Sequence, residues 1–173
     1  MMAKRVYQFS QLDDKIPEQY VKKPAFRELC NRLQICDGDI DRAYQKYYSS
    51  ELRSELEKQY FYKRAKRAWG WISNFAPESF CYRINQEKKV MDLNEIQTKS
   101  IELLNKLVQD TDLDQIESKD LNQKIYDDVI RGAGIDSKEF FSVVYQKLIG
   151  RPQGPRLPSF MIEIGAERLI KLL

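Results

Sequence analysis

Apolar residues recur at helical spacing along most of this chain. Phe26, Leu29, Cys30 and Leu33 mark one face of a first helix, with Pro24 suited to its first position and Asp37-Gly38 breaking it. Ile40, Ala43, Tyr44 and Tyr47 begin a second. The longest helix is predicted from about Ser50 to Phe75, on a drifting stripe of Leu52, Leu56, Tyr60, Phe61, Ala65, Ala68, Trp69 and Ile72. Ala76-Pro77 stops it, because the residue before a proline is pushed out of the helical region. Phe80 to Asn85 alternates Phe, Tyr and Ile with polar residues, the one place where the pattern allows β structure.

The second half repeats the helical theme. Asp92-Leu-Asn-Glu95 reads as a capping-box variant ahead of Ile96, Ser100, Leu103, Leu104, Leu107 and Val108. Ser118 is a candidate cap for Leu121, Ile125 and Val129, with Gly132 as terminator. Asp136-Ser-Lys-Glu139 precedes Phe140, Phe141, Val144, Tyr145, Leu148 and Ile149. A short helix Ser159–Ile164, then Gly165, then a last helix Ala166–Leu173 complete the pattern. Residues 1–23 lack periodicity; Val6, Phe9 and Leu12 fit an extended entry segment punctuated by Pro17. The predicted fold class is all-α, a helical bundle of roughly eight helices. At 173 residues it is one domain of ordinary size, with possible subdomains at 1–90 and 91–173.

Composition narrows the chemistry. The chain has no histidine, which removes the usual activator of a nucleophilic Ser or Cys. Phosphate-cradling glycine motifs are absent, and Gly132-Ala-Gly134 reads as a helix stop. Cys30, Cys36 and Cys81 have no CxxC spacing, so free buried thiols in a reducing cytoplasm are expected rather than disulfides or zinc. No apolar run reaches membrane-spanning length and the N-terminus carries no secretory signal, so a cytoplasmic protein without a membrane partner is expected.

Net charge is only +3, but its distribution is uneven. From Lys58 to Trp71 there are five basic residues and no acid, interleaved with aromatics. Phosphate contact plus base stacking fits Lys63, Arg64 and Arg67 beside Trp69 and Trp71; a solvated face over core-facing tryptophans fits equally. From Lys147 to Arg156 there are three basic residues and no acid. Here the apolar seam ends at Gly150, and Pro152, Pro155 and Pro158 stiffen the loop beyond it. Such a loop loses little entropy on binding, and Arg151, Gln153 and Arg156 suit the bases and phosphates of a single-stranded RNA loop. A stiff connector between helices is the alternative.

Tyr145-Gln-Lys-Leu-Ile-Gly-Arg-Pro-Gln-Gly-Pro-Arg-Leu-Pro-Ser-Phe-Met161, with Ile164-Gly-Ala-Glu-Arg-Leu-Ile-Lys-Leu-Leu173 after it, resembles the C-terminal end of class I lysyl-tRNA synthetases. Upstream, Pro24–Gln34, Arg67–Glu78, Gln123–Tyr126 and Lys138–Tyr145 match in order. The loop also resembles, more loosely, the Gly-Pro-x-Leu pattern of class I glutamyl-tRNA synthetases, whose anticodon-binding domain is a second possibility. A helical protein-interaction module without RNA is a third.

The resemblance implies an α-helical anticodon-binding cage. It implies tRNA(Lys), through its anticodon stem-loop, and the catalytic domain of the same polypeptide as partners, with no DNA. By the glutamyl pattern, Pro155 and Leu157 pack around anticodon bases. Arg151, Gln153, Gly154, Arg156 and Lys147 belong to the same edge, with Lys63, Arg64 and Arg67 as a second face. The family's His-Ile-Gly-His-type and Lys-Met-Ser-Lys-Ser-type motifs are missing. The chain is therefore expected to hold no cofactor and to be inactive alone. ATP, with magnesium, is expected in the catalytic domain of a whole enzyme that attaches lysine to tRNA for protein biosynthesis.

Overall fold

The computed structural model describes residues 24–48 and 54–173. Among these, eight α-helices form: α1 Phe26–Ile35, α2 Ile40–Tyr47, α3 Glu55–Asn74, α4 Glu95–Asp110, α5 Ser118–Lys124, α6 Ser137–Ile149, α7 Leu157–Ile164 and α8 Ala166–Leu172. A π-helical segment, Ile125–Arg131, continues α5. No strand forms among the described residues, in agreement with the all-α expectation. The entry segment of Val6, Phe9 and Leu12 and the predicted start of the long helix at Ser50 lie outside the described residues.

Two apolar clusters organise the helices. Leu29, Cys30, Leu33, Ala43, Phe61, Ala65, Ala68 and Ile72 join α1, α2 and α3. Ile101, Leu104, Phe140, Val144, Leu148, Phe160, Met161 and Leu169 join α4, α6, α7 and α8, with Leu121, Ile125 and Val129 from α5 and the π-helical segment. The clusters meet through polar links to α7. Arg32 of α1 chelates Glu163, its Nε donating to Oε2 at 2.9 Å and its Nη2 reaching Oε1. Lys46 of α2 donates to the Glu163 carbonyl.

Several helix ends differ from their sequence signals. The α3 start is a capping box of Ser54 and Glu57. The α4 box is Asn94 with Gln97, two residues beyond Asp92-Leu-Asn-Glu95, because the Asn94 side chain accepts from the Gln97 N–H. Ser118 does not cap α5; its hydroxyl meets that of Ser159 at 2.9 Å. The turn after the π-helical segment falls at Gly134, with φ +71°, rather than at Gly132. Asp136 caps α6 as expected, accepting from the Lys138 and Glu139 N–H groups. Pro24 stands just ahead of α1 instead of inside it, and α7 begins at Leu157, two residues before the expected Ser159.

The segment Phe80–Asn85 is irregular rather than β. In place of a partner strand, the Phe80 and Cys81 N–H groups donate to the turn carbonyls of Pro77 and Glu78, and others go to a side chain and a helix end. The Tyr82 N–H donates to the Gln34 Oε1 at 2.8 Å, and the Asn85 N–H donates to the Leu148 carbonyl at 2.8 Å. Trp69 packs against the first cluster and over Gly38, where an added Cβ would lie 2.5 Å from its Cε2. With φ +84° at Gly38 as well, backbone and packing both demand glycine there.

Candidate functional site

The loop after α6 is built from the helix end outward. Gly150, with φ +71°, takes the left-handed conformation that closes the helix. Asn85 satisfies orphan carbonyls there: its side-chain amide donates to the Lys147 carbonyl at 2.7 Å, and its backbone N–H to that of Leu148. The loop then folds back over Tyr145, whose hydroxyl donates to the Pro155 carbonyl. A Cβ on Gly154 would fall 2.7 Å from the Tyr145 ring, so the backbone passes close over the phenol and only glycine fits without a shift. Arg151 reaches sideways to donate to the Glu78 carbonyl at 2.6 Å. The loop is held at three points before any ligand arrives.

Held this way, the loop forms one wall of a cleft of about 650 Å³. Arg151, Gln153, Gly154, Pro155 and Arg156 line that wall. The opposite side comes from α1, with Arg27, Glu28 and Asn31, and from Ser79, Phe80 and Tyr82. Glu163 also faces the cleft, but its carboxylate is already engaged by Arg32. Arg27 and Arg156 are exposed. Free guanidinium groups, a stiff backbone and aromatic edges suit a ligand that is anionic and planar in part.

Two residues of the expected binding edge face elsewhere. Lys147 is only 4% exposed, and burial, with Lys88 adding repulsion, lowers its pKa. It is not among the residues that line the cleft, although the sequence pattern groups it with the loop arginines. Leu157 is buried as the first residue of α7 and packs in the second cluster. Its neighbour Pro155 remains on the cleft wall. On α3, Lys63 and Arg67 are exposed, while Arg64 donates to the Pro24 carbonyl at 2.7 Å. The α1 side of the cleft has no signal in the sequence pattern. Helical spacing puts Phe26 on the buried face of its helix, yet it is 46% exposed.

The Tyr145 phenol is pushed up to about 12 by burial, and the Cys30 thiol to about 11 by burial offset in part by Arg64. Burial raises Tyr82 in the same direction. Each group holds its proton in the folded state at a pH where the unfolded chain has released it. Their stabilisation is therefore complete below the unfolded values and is lost as pH rises through the folded ones. The expected result is a stability plateau up to about pH 9, then a fall between about pH 9 and 12, read as urea midpoints. In Tyr145→Phe the fall should be shallower in its upper part, and stability at neutral pH lower by about 1 kcal/mol for the lost hydrogen bond. An identical fall in both proteins would show that Tyr145 does not carry it.

No family model matches the chain. It is 36% identical to a lysine–tRNA ligase of Treponema pallidum over 175 residues, which covers 100% of this chain and 32% of that protein. A lysine–tRNA ligase of Thermococcus kodakarensis is 27% identical, with 98% of this chain and 32% of the relative covered. One from Methanosphaera stadtmanae is 22% identical, with 96% and 33% covered. The chain thus spans about a third of the length of the curated relatives it matches. Over nearly its whole length the all-helical chain is thus similar to about a third of the length of lysine–tRNA ligases from a spirochaete and from archaea.

Proposed function

We propose that this chain recognises the anticodon loop of tRNA(Lys) as the C-terminal anticodon-binding region of a class I lysyl-tRNA synthetase. The observation that carries the reading is the fixed Gly150–Arg156 loop, which presents Arg151, Gln153, Pro155 and Arg156 to a cleft faced by Arg27, Phe80 and Tyr82. Sequence-specific RNA recognition targets unstacked loop bases, which need a stiff polar edge to read and cations for the adjoining phosphates. The loop supplies both. In the whole enzyme, gripping the anticodon would set the direction in which the acceptor end extends toward a catalytic domain elsewhere on the polypeptide. That domain would bind ATP with magnesium and attach lysine; this region would contribute binding and orientation. A cytoplasmic location accompanies that role.

The connecting half, 1–90, and the binding half, 91–173, both contribute to the cleft, since Ala25–Ile35 and Ser79–Tyr82 face Ile149–Glu163. Lys63, Arg64 and Arg67 form the second face of the proposed contact.

The test is binding of tRNA(Lys) transcripts with native and altered anticodons across a salt series. Tighter binding of the native anticodon, with affinity falling as salt rises, is expected. Equal affinity for both transcripts in this chain and in the intact enzyme would refute anticodon recognition. A preference for a glutamate-tRNA anticodon would move the chain's role to the glutamyl pattern.

A further inference from the structure

We propose that Phe26, Trp71 and Phe80 form a stacking platform for an unpaired RNA base, extending the cleft of the proline loop toward the basic face of α3; this inference rests on the RNA reading above. The three rings come from α1, α3 and the segment after α3. Trp71 meets Phe26 edge-to-face at 5.4 Å between centroids and Phe80 at 5.1 Å. Phe80 also lines the cleft, two residues beyond the Glu78 carbonyl that Arg151 holds. The rings therefore continue the surface that begins at the loop.

Core packing accounts for the partly buried Trp71 and Phe80. It leaves Phe26 unexplained, an aromatic 46% exposed in the first turn of α1. Its surroundings are cationic. Arg27 is next to it on the cleft wall, and Arg64 donates to the Pro24 carbonyl two residues before it. Lys63 and Arg67 are exposed and stand eight and four residues before Trp71, the spacing that puts them on the same side of α3. Of the acids near the rings in sequence, Glu28 lies 3.8 Å from Arg32, and Glu78 is exposed two residues before Phe80. An exposed π surface bordered by cations is the chemistry that single-stranded nucleic acid requires: a face for the base and charge for its phosphates. A duplex, whose bases are stacked on one another, offers nothing for that face.

The test uses an anticodon stem-loop RNA of tRNA(Lys) with 2-aminopurine placed at each loop position in turn, since stacking quenches its fluorescence. One position should quench on binding the wild-type chain. Phe26→Ala should abolish that quench and weaken binding about tenfold, the loss expected for one stacked base, without changing the salt slope. Phe26→Tyr should restore both. Unaltered quenching and affinity in Phe26→Ala, with wild-type binding intact, would overturn the platform and leave the loop reading standing. No binding of any stem-loop by the wild-type chain or of tRNA(Lys) by the intact enzyme would overturn both.

Discussion

Arg32→Ala is expected to cost about 3 kcal/mol of folding stability, the scale for removing one partner of a buried ion pair. The Arg32 side chain is 10% exposed and that of Glu163 23%. The guanidinium makes two hydrogen bonds to the Glu163 carboxylate and lies 4.8 Å from the centroid of the Tyr47 ring. Removing it leaves the Glu163 carboxylate, half-buried on the cleft wall, without its bidentate partner and empties the space over the tyrosine. For a chain of this size the loss corresponds to a melting temperature lower by roughly 6–12 °C. Replacing both partners with apolar residues, as in Arg32→Met with Glu163→Leu, should recover much of it, because no orphan charge remains. A shift of only about 1 °C or less in Arg32→Ala would mean that this joint does not hold the two clusters together. The joint bears on function because Glu163 lies on the cleft wall, so its loosening should also weaken RNA binding.

The double substitution Arg151→Ala with Arg156→Ala should weaken tRNA(Lys) binding about a hundredfold, or about 2.7 kcal/mol. The slope of affinity against salt should flatten by roughly 1.4, from two phosphate contacts on a single-stranded segment. The single variants should separate two roles. Arg156 is exposed at the end of the loop, so Arg156→Ala should change binding with little change in melting temperature. Arg151 also ties the loop to the Glu78 carbonyl, so Arg151→Ala should lower stability as well as affinity. Binding within a factor of about two of wild type in the double variant would remove the loop arginines from the interface.

The helices are legible in the sequence because their apolar residues repeat at a helical period and their stops use glycine or proline. The C-terminal part reads most clearly, since Asp136 caps α6 and Gly150 and Gly165 end α6 and α7. Caps are less legible where a polar residue has a competing partner: Ser118 turns to Ser159, and Asn94 rather than Asp92 takes the box. The π-helical segment has no sequence signature distinct from an α-helix. Alternation over Phe80–Asn85 misleads because the segment runs between the two clusters, with Phe80 and Cys81 against the first and Tyr82 and Ile84 against the second.

The site is half legible. Proline spacing and arginines without neighbouring acids single out the loop, and these are local features. The opposite wall is not legible, because Arg27, Phe80 and Tyr82 become neighbours of residues 151–156 only through the packing of α1 and the Ser79–Tyr82 segment against α7. Lys147 shows the converse limit. Charge clustering in sequence ignores the face of the helix, and this lysine is buried on α6.

Photocrosslinking of tRNA(Lys) carrying 4-thiouridine in its anticodon loop, with the crosslinked peptides mapped by mass spectrometry, bears most directly on the proposed interface. Crosslinks are expected within residues 150–158 and 79–82, the two walls of the cleft. Crosslinks confined to other surfaces, with the cleft peptides unlabelled at saturating tRNA, would contradict the assignment of this cleft to the anticodon.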